Sequence, residues 1–275
     1  MLDSLQGRID LVSETNTTLE AIAQTLFKSW FVDFDPVRAK AEGREPEGMD
    51  AATAALFPSE FGESELGLIP KGWSVCPFGM LGLLTKGTVS PMGAPDTEFE
   101  HYSLPAFDVD QLPKRELGAE IKSNKTPVPS GSVLISKLNP HIPRIWFVGH
   151  ASEHAVCSTE FLVWTPSRLA SAELLYCLAT SAPFGSLICQ LVNGTSNSHQ
   201  RVKPDQLSSI PVISAPAAIA DAFATRTQAL FQKLLMNRKL ATSLANLRDT
   251  LLPRLISGKL RLPETESLIE TTEMA

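Results

Sequence analysis

Apolar residues near the start of the chain recur at alternating intervals of three and four. The positions with this spacing are Leu2, Leu5, Ile9, Val12, Asn16, Leu19, Ala23, Leu26 and Trp30. Such spacing places them on one face of a helix and is typical of the a and d positions of a coiled coil. The pattern predicts a helix from Leu2 to about Trp30, which ends before Pro36 because a proline disfavours helix at the preceding residue.

A second stretch with the same spacing lies between Ala215 and Leu260. Its positions are Phe223, Thr227, Leu230, Leu234, Asn237, Ala241, Leu244, Arg248, Leu251 and Leu255. If the two helices run antiparallel with Asn16 opposite Asn237, apolar residues face apolar residues along both. One polar residue in an apolar seam can fix the register, so these two asparagines are candidate register residues. The alternative is that both helices pack separately on a globular core.

Between the two helical stretches, short apolar runs alternate with turn residues. We predict strands in Ser132–Leu138, Arg144–His150 and Phe161–Pro166, and two helices within Ser171–Leu191 that are separated near Pro183. Strands without a repeated strand–helix–strand order favour an α+β domain. The predicted fold class is therefore α+β: a globular mixed α/β domain plus long antiparallel coiled-coil helices formed from the two ends of the chain.

These patterns set the expected domain boundaries. They are a coiled-coil helix at 1–35, a connector at 36–72, the globular domain at 73–213, a second coiled-coil helix at 214–262 and a tail at 263–275. Within the connector we predict one short helix, Ala51–Leu56, with ordered loop elsewhere.

Charge and composition narrow the class of protein. The net charge is −6, but it is unevenly distributed: residues 1–70 carry −8, residues 71–205 carry 0 and residues 206–260 carry +5. A neutral domain can still present a basic face to nucleic acid, although the non-specific phosphate contribution should be modest. No apolar run approaches the roughly 18 residues of a membrane helix. We expect a cytoplasmic protein without a membrane partner, and its four cysteines lack metal-site spacing.

Motifs for catalysis are missing from the sequence. Ser257-Gly258-Lys259 lacks the glycine that a phosphate-binding loop needs five residues before Gly258, where Pro253 stands. The five histidines do not have the spacing of helical metal ligands. We therefore expect no catalytic site, no metal and no cofactor in this chain.

Polar loops in the globular domain are the remaining candidates for function. Arginine and lysine recognise guanine, asparagine and glutamine recognise adenine, and hydroxyl groups suit phosphates. The candidate DNA-binding residues are Lys86, Thr88 and Ser90 in one loop, Lys137, Asn139, His141 and Arg144 in a second, and Ser196, Asn197, His199, Gln200 and Arg201 in a third. The alternative is that these are ordinary solvated loops.

Three longer stretches carry a resemblance to a known family. "TLEAIAQTLFKSWFVDFDPVRAKAEGR" (Thr18–Arg44), "LFPSEFGESELGLIPKGW" (Leu56–Trp73) and "LRDTLLPRLISGKLRL" (Leu247–Leu262) closely resemble the conserved regions of type I restriction–modification specificity (S) subunits. The stretches Ile135–Pro140 and His199–Val212 resemble the edges of a target recognition domain in that family.

The resemblance implies a non-catalytic DNA-recognition subunit. Partners would be double-stranded DNA, modification (M) methyltransferase subunits that carry S-adenosylmethionine and methylate adenine N6, and a restriction (R) subunit that uses ATP and Mg. The chain has one recognition domain where the family pattern has two, so it resembles a half subunit, a split partner or a fragment. A second S half or a homodimer would supply the other domain. The alternative function is an adaptor or scaffold protein that does not bind DNA.

Overall fold

The computed structural model describes residues 2–192 and 200–256. The chain forms two compact units, which are described separately here. The first combines Met1–Leu19 with Lys233–Ala275, and the second comprises Glu20–Gln232. Each of the two long helices contributes residues to both units, so a unit boundary falls inside each helix.

The described elements follow one another in an α+β order. The helices are α1 (Leu2–Phe31), α2 (Asp35–Ala41), α3 (Ala51–Leu56), α4 (Phe78–Leu81), α5 (Leu104–Val109), α6 (Ala172–Thr180), α7 (Ala182–Gln190), α8 (Pro204–Ser208) and α9 (Ala217–Ile256). The strands are β1 (Phe61–Ser64), β2 (Gly67–Pro70), β3 (Ser74–Pro77), β4 (Gly82–Leu84), β5 (Glu98–Tyr102), β6 (Lys114–Leu117), β7 (Thr126–Pro127), β8 (Val133–Ser136), β9 (Ile145–Phe147), β10 (Ala155–Cys157), β11 (Phe161–Pro166) and β12 (Pro211–Ser214).

In the first unit, the outer segments of α1 and α9 run antiparallel. Leu5, near the start of α1, is buried in a cluster with Leu244 and Leu251 of α9. Farther along α1, Asn16 Nδ2 donates a hydrogen bond to the carbonyl oxygen of Leu234 at 3.3 Å. Residue numbers that rise along α1 therefore meet numbers that fall along α9. This is the direction of pairing that the two seams predicted.

In the second unit, aromatic side chains tie the inner segments of α1 and α9 to the connector. The ring of Phe223 on α9 lies 5.3 Å from that of Phe31 on α1. Trp30 packs edge-on against Phe57 at 5.1 Å, and Phe31 contacts Trp73 at 5.6 Å. All five rings are buried. Because large aromatic rings bury much apolar area, this cluster fixes the connector to the helices.

The largest described sheets contain four strands each. The first has the order β4-β11-β8-β9 and is antiparallel throughout; the second has the order β6-β5-β10-β7, with one parallel pair, β10 and β5. Every residue of β8, β9 and β10 is buried. Leu134, Trp146 and Phe161 of the first sheet share a core with Tyr102 and Cys157 of the second.

The other face of the first sheet is covered by α6. This helix contacts β8, β9 and β11, and its Tyr176 packs edge-on against Phe147 of β9 at 5.8 Å. Strands buried on both faces read as continuous apolar runs, which is why "SVLIS" and "FLVW" stand out in the sequence.

Strands β3 and β12 pair with each other in an antiparallel two-stranded sheet. Their register places Ser74 opposite Ser214 and Pro77 opposite Pro211. The chain therefore enters the domain and leaves it through neighbouring strands.

Most predicted elements are present, and the predicted α+β class is confirmed. Helix α3 has the predicted bounds, and the break between α6 and α7 falls at Ser181, next to the predicted site. The prediction of loop elsewhere in the connector is wrong, because it contains α2 and the hairpin β1–β2. Phe34, with a left-handed φ of 57°, separates α1 from α2, and Pro36 in the first turn suits a helix start.

Gly118 gives a test of the second sheet. A Cβ at this position would overlap the backbone carbonyl oxygens of Pro91 and Ala94. Because those atoms belong to main chain, G118A should lower the free energy of unfolding by about 1–3 kcal/mol, as overpacking does. Urea unfolding measures it, with G93A as the control, since a Cβ at Gly93 meets nothing within 4 Å. Equal stabilities of the two variants would contradict the packing described.

Asn16 gives a test of the helix pair. Its Oδ1 atom is buried without a hydrogen-bond partner in the described residues, and an unsatisfied buried polar atom costs about 1–3 kcal/mol. N16L should therefore raise the thermal midpoint, while S13L, on the exposed side of α1, should not. A lower midpoint for N16L would show that the polar group stabilises the pair.

Candidate nucleic-acid interface

The first sheet brings the predicted loops to one edge. Strands β4 and β8 both run antiparallel to β11, so their carboxyl ends lie at the same edge. The loop with Lys86, Thr88 and Ser90 follows β4, and the loop with Lys137 to Arg144 follows β8. Strands β9 and β11 begin at that edge.

The second and third loops are joined by main-chain hydrogen bonds. Leu138 and Arg201 form an isolated antiparallel bridge. The amide of Asn139 donates to the carbonyl of Gln200 at 2.8 Å, and the amide of Val202 donates to the carbonyl of Lys137 at 2.9 Å. Two segments more than sixty positions apart in the sequence therefore form a single surface. We call the residues Lys137–Arg144 and Gln200–Val202, with Glu160, the loop junction.

Asn139 occupies a strained position in the loop junction. Its φ is 49°, in the left-handed region that asparagine tolerates better than most residues. Its carbonyl accepts a hydrogen bond from the amide of Ile142 at 2.8 Å. The Oδ1 atom is buried and has no hydrogen-bond partner among the described residues. Asn139 therefore shapes the turn through its backbone conformation, and this role does not depend on its side chain.

Arg144 is held by an acidic residue of α5. Its Nε and Nη2 atoms donate to the two carboxylate oxygens of Asp108 at 2.6 and 3.0 Å. The hydrogen bonds to Asp108 raise the pKa of the Arg144 guanidinium, so it is charged at any physiological pH. The pair links α5 to the residue that precedes β9.

Arg201 is held in the same way by the residue that precedes β11. Its Nε and Nη2 atoms donate to the carboxylate oxygens of Glu160 at 3.1 and 2.8 Å. Both arginines therefore donate from the same side of the guanidinium, and each is paired with its own carboxylate. Hydrogen bonding to Glu160 raises the pKa of Arg201.

The first loop is exposed at its polar positions. Lys86, Thr88 and Ser90 are exposed, while Val89 between them pairs in an antiparallel bridge with Lys125. Lys125 is 9% exposed, its Nζ donates to Ser123 Oγ at 3.0 Å, and burial lowers its pKa. This buried lysine was not among the predicted site residues.

The remaining predicted residues fall into three groups. His141 is exposed, and Gln200 is half-buried. Ser196, Asn197 and His199 lie outside the described residues. Of the two register residues, Asn237 is buried, and Asn16 donates to Leu234, one helical turn before Asn237.

Sequence reasoning missed the two carboxylates, Asp108 and Glu160. Isolated acidic residues in loops and short helices carry no periodic signal, and only the fold shows which arginine each one contacts. Phe27, Trp30 and Phe31 of α1 are all buried, so these aromatic residues belong to the core of the second unit.

Within 2–192 and 200–256, no three His, Cys, Asp or Glu side chains lie close enough together to hold a metal ion. No single described helix has the length and apolar character of a membrane span. The pair α6 and α7, bent by 63°, passes the same test of length and composition when taken together.

No protein-family model matches the chain. The specificity subunit of the type I restriction enzyme HindI from Haemophilus influenzae is 26% identical over 309 aligned residues, which cover 94% of this chain and 66% of that one. The type I restriction enzyme MjaIX specificity subunit from Methanocaldococcus jannaschii is 25% identical, with 96% of this chain and 58% of that one covered.

Solved structures show the same architecture. The type I restriction–modification S subunit from M. genitalium superposes with a TM-score of 0.55 at 13% identity, covering 92% of this chain and 58% of that one. A chain from a type I restriction–modification assembly gives a TM-score of 0.51 at 22% identity, covering 71% and 51%.

An α+β domain between two long helices is the fold of these S subunits. By sequence, the chain is similar to the specificity subunits of type I restriction enzymes. It spans less than two thirds of the length of each of the two relatives that it matches.

Asn139 gives a test that separates backbone from side chain. Alanine in the left-handed region costs about 1–2 kcal/mol and glycine costs nothing sterically. N139A should therefore be less stable than N139G in urea unfolding. Equal stabilities would contradict the conformation described.

Proposed function

We propose that this chain is the sequence-specific DNA recognition subunit of a type I restriction–modification complex and has no catalytic site of its own. The observation that carries the proposal is the loop junction. Two polar segments, rich in base-recognising residue types, are joined through Leu138 and Arg201 at one sheet edge. Homology to specificity subunits supports the same function.

The residue types at this edge suit the major groove. Arginine and lysine donate to guanine O6 and N7, and asparagine and glutamine bind the adenine edge. Lys86 and His141 are exposed. Hydroxyl groups such as those of Thr88 and Ser90 hydrogen-bond phosphate oxygens, which set orientation and not sequence. The edge therefore holds groups for both tasks.

The proposed domains follow the sequence boundaries. Residues 73–213 form the target recognition domain, 36–72 the connector, and 1–35 and 214–262 the two conserved coiled-coil helices, with a tail at 263–275. Asn16 and Asn237 set the helix register. The helices also dock the methyltransferase.

Partners supply the chemistry in this proposal. Modification subunits bind S-adenosylmethionine and methylate adenine N6, and a restriction subunit binds ATP and Mg. One recognition domain recognises one half of a split target. A second copy of this chain, or a different S half, recognises the other. Two copies would produce a palindromic split target and two different chains an asymmetric one, since the symmetry of the target follows that of the protein.

Methylation mapping tests the proposed function. The chain is co-expressed with the modification subunit of its own system in a host without other adenine methyltransferases, and N6-methyladenine is mapped across the genome. We expect one defined split sequence to be methylated, because base recognition restricts the methyltransferase to its target. Expression of the modification subunit alone is the control and should leave that sequence unmodified.

Two results would contradict the proposal. One is a co-purifying, catalytically active complex that methylates no defined sequence. The other is a methylated sequence that is the same with and without this chain. Either would favour an adaptor that binds protein and not DNA.

A further inference from the structure

The two arginine–carboxylate pairs have the same hydrogen bonds but opposite exposure. The side chain of Arg144 is 17% exposed and that of Asp108 is 47% exposed. The side chain of Arg201 is 50% exposed and that of Glu160 is 22% exposed. In the first pair the carboxylate is on the outside and covers the arginine. In the second pair the arginine is on the outside and the carboxylate supports it from within.

The bonds to Glu160 leave one edge of the Arg201 guanidinium unused. The group has five N–H donors in a planar fork. In the described residues, the side chain of Arg201 makes two hydrogen bonds, which Nε and Nη2 donate to Glu160. The outer edge, formed by Nη1 and the second N–H of Nη2, keeps two parallel donors. Two such donors match guanine O6 and N7.

The main chain around this pair is fixed on both sides. Arg201 lies between the two hydrogen bonds that join Gln200 to Asn139 and Val202 to Lys137. The carbonyl of Glu160 accepts from the amide of the same Lys137 at 2.9 Å. The backbone of Lys137 is thus hydrogen-bonded both to Val202, the neighbour of Arg201, and to Glu160. These bonds fix the position of the arginine relative to its carboxylate. A side chain held in its bound geometry loses less conformational entropy on binding.

The carboxylate of Glu160 also affects whether Arg201 is better suited to contact a phosphate or a base edge. The electrostatic part of a phosphate contact depends on the net positive charge of the protein group, and it falls steeply with salt. Glu160 neutralises the charge of Arg201 at hydrogen-bonding distance, which weakens attraction to phosphate. Directional donation to a base edge is retained.

We propose that Arg201 recognises a guanine in the major groove and that Glu160 is the positioning residue that aims its free edge. This rests on the proposed function. Arg144, which was also a candidate DNA-binding residue in the sequence, instead links α5 to the start of β9 through Asp108. The inference names one base and one pair of residues within the recognition surface.

The test uses the complete complex and the target found by methylation mapping. In the duplex, each guanine of the half site is replaced in turn by 7-deazaguanine, which lacks the N7 acceptor. For the wild-type complex, one replacement should weaken binding about 10-fold, because it removes one of the two hydrogen bonds of the bidentate contact and leaves O6 in place. R201A should bind the normal and the substituted duplex equally, because the donor is gone.

Glu160 is tested with E160Q, whose amide accepts at one oxygen and cannot accept both N–H groups. We expect E160Q to lose part of the discrimination at the same guanine. The double variant E160Q/R201A should be no worse than R201A, because Glu160 acts through Arg201. The salt dependence of binding should change little in E160Q/R201A, since the Arg201–Glu160 pair and its double replacement both carry no net charge.

A matched pair in the second sheet is the control. Arg115 Nη1 donates to Glu98 Oε2 at 2.8 Å, and both side chains are exposed. E98Q and R115A should leave the methylated sequence and the guanine discrimination unchanged. D108N should lower the thermal midpoint while the target sequence stays the same.

The outcomes separate the inference from the proposed function. A complex that methylates no defined sequence refutes the function. A complex that keeps its defined target, with R201A still discriminating the same guanine, refutes the inference alone. An equal loss of affinity at every duplex and a smaller salt slope in E160Q/R201A would assign Arg201 to a phosphate contact and would overturn the inference too. Loss of thermal stability in E160Q with full guanine discrimination would reduce Glu160 to a structural role.

Discussion

The register of β8 against β11 is the constraint on which the rest of this domain depends. Phe161 lies opposite Ser136 and Trp164 opposite Val133, and the strands are buried on both faces through these residues. A slip of one residue would exchange the two faces and place the wrong side chains in each core. Because burial fixes the register, it also fixes where β8 ends and β11 begins. That edge is where the loop junction lies, so an apolar constraint positions the polar surface.

The polar surface in turn depends on pairing and not on free charge. Arginines 144 and 201 each meet a carboxylate, and Lys125 is buried behind the first loop. The globular domain is close to neutral in sequence. A surface of this kind suits directional hydrogen bonding better than general attraction to phosphate.

Elements with strong local patterns could be predicted from the sequence. Helix α3 follows an aspartate whose side chain accepts from Thr53 N, and β8 and β11 are continuous apolar runs. The second sheet was missed because its strands are held by distant partners: β10 pairs with β5, more than fifty residues earlier. Strand β7 has only two residues. No window of sequence carries a signal for such strands.

The site was predicted as residue types and not as geometry. Composition identified Lys137–Arg144 and the segment around Arg201, and the fold brought them together. Their carboxylate partners, Asp108 and Glu160, could not be predicted, because hydrogen bonds across 36 and 41 positions depend on tertiary structure. Exposure, which separates the two arginines, is likewise a property of the folded chain.

The pairing of β3 with β12 has a consequence for how such a protein can change. Since Ser74 lies opposite Ser214, the segment between β3 and β12 begins and ends at the same short ladder of paired strands. A different domain with ends the same distance apart could be inserted at that ladder without altering the aromatic cluster, but it would have to replace the contacts of Phe147 and Tyr176 with Phe231 of α9. A new recognition surface could then be acquired by exchange of this segment alone, without gradual redesign of the whole molecule.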